Sequence, residues 1–260
     1  MKNPDKYRNF GLRQSFYEHF VDNGLNCFQS GTLGKDQYTA LKHWLADANM
    51  LVKEEKGSKE TIKMELTALG EKIMPMGAYN PFVWAILWAN LAYGSIIAHE
   101  FCTKIGVGSY YSKDDIIELL DSDLKDKPKE QATNSLLSTF RDSPIGTVLM
   151  QGVQVEKFYY RAGWEMPLAV ALLYALYLYA EHTGRRSFTF SELVGAKNNP
   201  DATGMSPSDI YGIDVKAFRE QVQGLAISFP QYIRVSFISN LDNIILENYS
   251  SLDVLDLAEE

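Results

Sequence analysis

Along residues 35–49, apolar side chains recur at Tyr38, Leu41, Trp44, Leu45 and Ala48. At 100° per residue they fall in one stripe, which predicts an amphipathic helix. Lys35, Thr39, Lys42 and His43 fall outside that stripe and point outward. Upstream, residues 15–22 (SFYEHFVD) predict a short first helix, and Ser30, Gly31 and Gly34 mark a turn-rich connection. Downstream, Met50, Leu51 and Val52 read as a short strand. Residues 53–59 (KEEKGSK) read as a polar turn with Gly57 at its tip, residues 61–66 as a returning strand, and Thr67 as the cap of a further helix, LTALGEKIM. Helix, strand, charged turn, strand, helix is the layout of a winged helix, here assigned to residues 1–75. Such a module presents its helix to the major groove and its wing to backbone phosphates. Some winged helices bind proteins instead.

Residues 76–165 read as a helical middle region. Tyr79, Asn80 and Pro81 open a strongly apolar helix over 82–98, FVWAILWANLAYGSIIA. Ser112 caps KDDIIELL, since a serine followed by acidic residues suits the first turn of a helix. Residues 121–129 read as an exposed charged loop, and residues 130–141 as a helix stopped by Ser143 and Pro144. Residues 166–260 read as a third region. An apolar helix runs from Pro167 to about Tyr179 and ends at Gly184, with Arg185 and Arg186 following. SFTFSELV (187–194) reads as a strand entering a helix, and residues 197–206 as a loop. Asp214 caps a helix with Val215, Phe218, Val222 and Leu225 in register and Lys216, Arg219, Glu220 and Gln223 outward. Ile233, Val235 and Phe237 then alternate, residues 240–243 turn, and residues 244–246 return as a hairpin. The expected fold is therefore mainly α: an N-terminal winged helix-turn-helix, a helical middle, and a second, less basic, winged-helix-like C-terminal domain. The tail, DVLDLAEE, is expected to fray.

Composition sharpens this picture. Of 260 residues, 46% are hydrophobic and 12% aromatic, the values of a folded globular chain. The segments 82–98 and 167–180 are short for membrane spans; the first contains Asn90 and runs into His99 and Glu100, and the second ends at Glu181 and His182. Both are expected to be buried helices of a soluble protein with no membrane partner. The start, MKNPDKYRNF, lacks an apolar signal region. Cys27 and Cys102 are too few and too far apart for a disulfide framework or a thiolate metal site, so a reducing, cytoplasmic compartment is expected. The net charge of −8 argues against coating of the whole surface by nucleic acid. Its distribution is uneven: residues 1–75 carry 11 basic and 10 acidic side chains, the remainder 14 and 23. DNA contact, if made, belongs at the N-terminal end.

Catalytic signatures are weak. His19, His43, His99 and His182 show no metal-ligand spacing, and there is no phosphate-binding glycine loop or nucleophile elbow. His99–Glu100 and Glu181–His182 are adjacent pairs, which diverge by about 100° on a helix and so suit helix ends better than a shared ligand. Asp121, Asp123 and Lys125, or Glu156 and Lys157, lack the strand-borne acidic layout of a metal-dependent nuclease and read as solvated charged loops. Phe158, Tyr159, Tyr160, Trp164, Tyr174, Tyr177 and Tyr179 could stack on bases, but their spacing favours the core. No cofactor and no metal site are expected, and any enzymatic role would be that of a DNA-nicking endonuclease.

Short motifs spread along nearly the whole chain resemble a known family. FGLRQSF (residues 10–16) is similar to that family's opening FGRHETF segment. Leu33, Gly34 and Lys35, then Trp44, then Leu66, Thr67, Leu69 and Gly70 resemble its LG-x-GK … W … LT-x-LG core. SFTFSELV and IYGIDVKAF resemble its FSFSEL … VFGLD-x-x-F end. Leu12, Arg13 and Gln14 depart from the usual basic-His-Glu. The family is a bacterial group of unknown function, encoded beside proteins similar to phosphoadenosine phosphosulfate reductase in DNA phosphorothioation and phage-defence neighbourhoods. The resemblance implies a DNA-binding accessory, or nicking, component of such a system, with DNA and a sulfurtransferase of that kind as partners. A winged-helix transcriptional regulator and a non-DNA-binding adaptor for the sulfur-transfer enzyme are the alternatives. The expected DNA contacts are Lys35, Thr39, Lys42 and His43 on the helix and Lys53, Lys56 and Lys59 on the wing.

Overall fold

The computed structural model describes residues 4–56, 59–120, 125–195, 204–238 and 241–258. The chain is mainly helical and divides into two compact units, Met1–Ala162 and Gly163–Glu260.

In the first unit, α1 (Gln14–Asn23) leads through a 3-10 turn (Gly24–Gln29) to α2 (Lys35–Asp47). The Gly34 amide opens α2 by donating to Gln37 Oε1 at 2.8 Å. The apolar stripe buries as its period requires: Leu41, Trp44, Leu45 and Ala48 have no exposed surface. Asn49, in the left-handed region at φ 59°, ends the turn. β1 (Leu51–Lys56) and β2 (Lys59–Leu66) then pair antiparallel, with Lys53 opposite Ile62 and Lys56 opposite Lys59. The segment 53–59 is therefore mostly strand rather than a polar turn. A two-stranded ribbon tolerates charge on its open face, so polarity there does not mark a loop. Gly57 lies outside the described residues. Thr67 caps α3 (Ala68–Ile73) by accepting the Gly70 amide at 3.0 Å.

The apolar segment after Pro81 forms two helices instead of one. α4 (Pro81–Gly94), capped by Asn80, is buried all round from Phe82 to Ala92, and α5 (Ile96–Lys104) leaves it at 96°. The break falls where α4 meets α2. A Cβ on Gly94 would lie 2.0 Å from the Asp47 carbonyl oxygen, so only glycine permits this approach, and Ser95 turns the chain in an extended conformation. Among the described residues no single helix is long and apolar enough to cross a membrane.

β3 (Ser109–Tyr111), α6 (Lys113–Leu119), α7 (Asp126–Asp142), α8 (Pro144–Thr147), β4 (Val153–Val155) and β5 (Phe158–Arg161) complete the unit. The three strands form an antiparallel sheet in the order β3-β5-β4. Of the expected charged loop at 121–129, residues 121–124 lie outside the described residues, while Asp126 to Lys129 belong to α7. Pro128 sits in the first turn, where its missing N–H breaks no helical bond.

The N-terminal segment fastens these elements together. The Trp44 indole stacks on Tyr7 with ring centroids 3.7 Å apart and donates to the Phe10 carbonyl at 2.8 Å. The Asp47 carboxylate, 2% exposed, accepts from the Tyr7 hydroxyl, from Lys6 Nζ at 2.9 Å and from Lys53 Nζ at 2.5 Å. The Tyr7 oxygen also lies 2.8 Å from the Ser95 hydroxyl at the α4–α5 corner. One buried anion thus joins the N-terminal segment, α2 and β1, and reaches the α4–α5 corner through Tyr7.

The second unit begins with α9 (Ala169–Thr183), buried from Ala171 to Ala180 and stopped by Gly184 in the left-handed region. It continues through β6 (Ser187–Thr189), α10 (Phe190–Gly195), α11 (Pro207–Tyr211), α12 (Val215–Ser228), β7 (Ile233–Ile238), β8 (Leu241–Leu246) and α13 (Ser251–Val254). The sheet order is β6-β8-β7, and Asp214 caps α12 by accepting the Ala217 amide at 2.9 Å. Phe218, Val222 and Leu225 are buried, but Val215, in the first turn, is 55% exposed, so the buried stripe of α12 begins one turn later than the pattern predicts. Where the sequence predicts a frayed tail, the chain forms α13 and a 3-10 turn over Leu255–Ala258. Asp253 closes a capping box with Ser250, Glu181 of α9 accepts the Ser251 amide at 2.7 Å, and Val254 and Leu255 are buried.

Asp47→Asn removes the charge that two lysines share, and about 3 kcal/mol of stability should go with it. This is the low end for a broken buried pair, since Lys53 still reaches water. Trp44→Ala should cost about 3–5 kcal/mol. Urea unfolding followed by tryptophan fluorescence measures both, and a change below about 1 kcal/mol in either would remove that residue from the network that fastens the N-terminal segment.

Candidate nucleic-acid interface

Seven side chains are expected to meet DNA, and the structure brings three of them together. Lys35 is exposed in the first turn of α2, Thr39 follows one turn later, and Lys42 follows about one further turn on. They line one side of an open groove of about 610 Å³, with Leu25 and Phe28 of the 3-10 turn and Met64 of β2 as its apolar lining. Thr39 is held in rotamer by donating its hydroxyl to the Lys35 carbonyl at 2.9 Å. Tyr38, also on the groove, accepts the Leu33 amide at 3.0 Å and shares a 2.8 Å hydrogen bond with Ser30, whose oxygen in turn meets His19 Nε2 at 3.1 Å. Desolvation pushes the Tyr38 phenol up, but the hydrogen bonds from Leu33, Ser30 and Thr32 outweigh it and leave it below the ordinary tyrosine value. Among the described residues Lys35 and Lys42 make no ion pair, so their charge faces solvent uncompensated.

The other four are placed differently. His43 is half-buried and does not line the groove. Lys53 points back to Asp47 and serves the buried ion cluster. Lys56 and Lys59 sit opposite each other at the end of the β1–β2 ribbon. The C-terminal helix α12 offers less: Arg219 is bound by Asp242 at 2.8 and 3.1 Å and lies 4.0 Å over the Phe237 ring.

The histidine–carboxylate pairs diverge. His99 Nδ1 lies 3.0 Å from the Ala92 carbonyl while Glu100 pairs with Lys104, and Glu181 anchors Ser251 while burial lowers the His182 pKa. Among the described residues no three His, Cys, Asp or Glu side chains converge in a way that could hold a metal ion. Cys27, in the 3-10 turn, is buried, and desolvation pushes its thiol up to about 12, which keeps it protonated and unreactive.

Of the aromatic residues weighed as base-stacking candidates, Trp164, Tyr174, Tyr177 and Tyr179 are buried. The sheet β3-β5-β4 instead turns Tyr110, Tyr160, Phe158 and Val155 to one face, with the Tyr110 and Tyr160 rings 4.7 Å apart and Tyr110 65% exposed. Strands of three and four residues are too short for period-2 alternation to stand out, so only the two-residue spacing of Phe158 and Tyr160 hints at this face.

The motif residues mostly build structure. A Cβ on Gly11 would lie 2.3 Å from the Thr139 amide nitrogen, so the FG pair seats the N-terminal segment on α7; Gly70 likewise abuts the Met50 carbonyl. Leu12, where the motif departs, is buried and donates its amide to Thr139 Oγ1 at 2.8 Å. Arg13 pairs with Asp142 at 3.2 Å and lies over the Phe16 ring, and Gln14 donates to the Ala78 carbonyl at 3.3 Å. Glu192 of FSEL accepts the Thr189 amide at 2.7 Å, the main reason its pKa is lowered.

No protein-family model matches the chain, and no curated protein matches it by sequence. Two solved structures match it closely in fold. Both are SspB, one determined with a magnesium ion bound. They superpose with TM-scores of 0.73 and 0.74 at 13% identity, over 99% of this chain and 88% of theirs. The chain thus has the SspB fold.

The different placements of the lysines are separable by experiment. Lys53→Ala should lower stability by about 1–2 kcal/mol, because a buried carboxylate is left with one donor fewer. Lys35→Ala and Lys42→Ala should stay within about 0.5 kcal/mol of the parent. Thermal melts that rank them in the opposite order would show that Lys53 is a surface residue of the ribbon.

Proposed function

We propose that this chain is a DNA-binding component of a bacterial DNA phosphorothioation and phage-defence system. The observation that carries the reading is the likeness to SspB, a phosphorothioation-system protein, along 99% of the chain. The family resemblance of the N-terminal and C-terminal motifs points to the same systems. In this reading α2 and the β1–β2 ribbon act as a winged helix: Lys35, Thr39 and Lys42 meet the duplex, and Lys56 and Lys59 at the ribbon's end meet a neighbouring phosphate. The second unit, with its helices followed by the β7–β8 hairpin, is a second winged-helix-like module, and on its α12 face Arg219 is already engaged by Asp242.

The charge distribution sets the strength of binding. Beyond residue 75 acidic side chains exceed basic ones by 23 to 14, so the body repels DNA and the N-terminal module must supply the attraction alone. Affinity is therefore modest, and a partner resembling phosphoadenosine phosphosulfate reductase completes the complex in the cytoplasm. One SspB structure holds a magnesium ion; among the described residues of this chain no three His, Cys, Asp or Glu side chains converge, and no step is assigned to a metal.

Binding to a duplex of about three helical turns, measured across salt concentrations, tests the reading. Affinity should fall steeply with salt, and Lys35→Ala with Lys42→Ala should flatten the log–log slope by about two units, one for each phosphate no longer neutralised. The weakening should be alike on all sequences, because lysines of this kind read phosphates. Supercoiled plasmid incubated with Mg²⁺ or Mn²⁺ in the same series scores nicking. Absence of any salt-dependent binding, with or without the sulfurtransferase, would remove DNA as the partner and leave an adaptor role.

A further inference from the structure

A helix that reads only the major groove needs a convex outward face. The outward face of α2 is instead one wall of a concavity. Its lining combines Phe28 and Tyr38, rings 6.2 Å apart, with Leu25 and Met64. The two rings are held in place: Phe28 packs on Phe20, and Tyr38 is locked by Leu33 and Ser30. Lys35 and Lys42 line the same groove, and neither is neutralised among the described residues. Their positions are seven residues apart, about 10 Å along the helix axis. An apolar, aromatic floor flanked by two cations is complementary to a planar apolar ring carried on an anionic backbone. A paired base inside a duplex cannot reach such a floor, since its faces are already stacked.

We propose that this groove receives a single unpaired nucleotide, its base resting on Phe28, Leu25 and Met64 and its flanking phosphates meeting Lys35 and Lys42. The inference rests on the DNA-binding reading and narrows it: the preferred substrate is DNA that is locally unpaired or easily opened. Stacking on an aromatic ring is tolerant of base identity, so the groove selects for an exposed base and not for a sequence.

The test compares a fluorescently labelled duplex with the same duplex carrying one central bulged nucleotide, using the full chain. The bulged duplex should bind about tenfold more tightly, within what one base–aromatic stack supplies. Phe28→Ala should abolish that preference while leaving the salt slope unchanged. Because Phe28 also packs on Phe20, Met64→Glu serves as a second variant: Met64 is 40% exposed on β2, and a carboxylate there closes the floor to a nucleotide without disturbing the core. Loss of the preference in Met64→Glu, with an unchanged melting temperature, supports the assignment. Equal affinity for the two duplexes overturns it while leaving the DNA-binding reading intact. A preference that survives both variants also overturns it, as does displacement of bulged DNA from a site that a synthetic Leu- and Glu-rich peptide fills more tightly. Failure to bind either duplex overturns the parent reading instead.

Discussion

A carboxylate with almost no exposed surface is tolerable only if its charge is met by donors and cations that follow it inside. Asp47 is such a group, and the first unit is arranged around meeting it. Lys6 and Tyr7 come from the N-terminal segment, Lys53 comes from β1, and the Tyr7 hydroxyl carries the network to Ser95 at the α4–α5 corner. The backbone of the same residue presses on Gly94, which is why the apolar segment bends there. The side chain and the carbonyl of one residue thereby fix the end of α2, the start of the ribbon and the direction of α5. Both lysines on that carboxylate keep a path to solvent, which limits the cost of bringing their charge to a buried site.

That arrangement has a consequence for the opposite side of α2. Trp44 and Asp47 anchor the helix on its buried face through Tyr7, Phe10 and Lys53, so its C-terminal half cannot shift without breaking a buried ion cluster. The outward side chains of the first two turns are consequently presented from a rigid support, as binding groups need to be. Tyr38 is fixed from the other direction by the Leu33 amide and Ser30. The groove between them is shaped before any ligand arrives, which lowers the ordering cost of binding.

How much of this is legible in the sequence depends on element length and on where each side chain's partner lies. The stripe of α2, the Thr67, Ser112 and Asp214 caps and the Gly184 stop all rest on local signals and are found where the pattern places them. The β7–β8 hairpin is found too, but Leu241 to Asn243, read as its turn, already pair with β7, because polar side chains on one face of a short strand look like a turn. The break at Gly94 is invisible in the sequence because its cause is the Asp47 backbone, 47 positions away. β3, β4 and β5 are too short to show a period. The role of Lys53 is hidden for a related reason: its partner Asp47 ends one element while Lys53 belongs to the next, and only the fold of the connection brings the two together. Lys35, Thr39 and Lys42 are legible because helical periodicity alone sets their direction. The floor they face is not, because Leu25, Phe28 and Met64 come from two other elements.

The motif residues bear on what the family resemblance means. Gly11, Trp44, Thr67, Gly70 and Asp214 each answer a local structural demand: close approach to α7, a stacked core ring, two helix caps, and contact with the Met50 carbonyl. Residues set by such demands can recur wherever the fold recurs, whatever the protein binds. At 13% identity the SspB likeness is a likeness of architecture in the same sense. Function has to be argued from side chains that the fold does not need, and in this chain Lys35, Lys42 and Met64 are of that kind. They are at least partly exposed, outside the hydrophobic core, and gathered on one groove. The strongest case for a nucleic-acid surface therefore lies on the face of α2 that packing leaves undetermined, where Lys35 closes the LG-x-GK motif and Lys42 lies outside it.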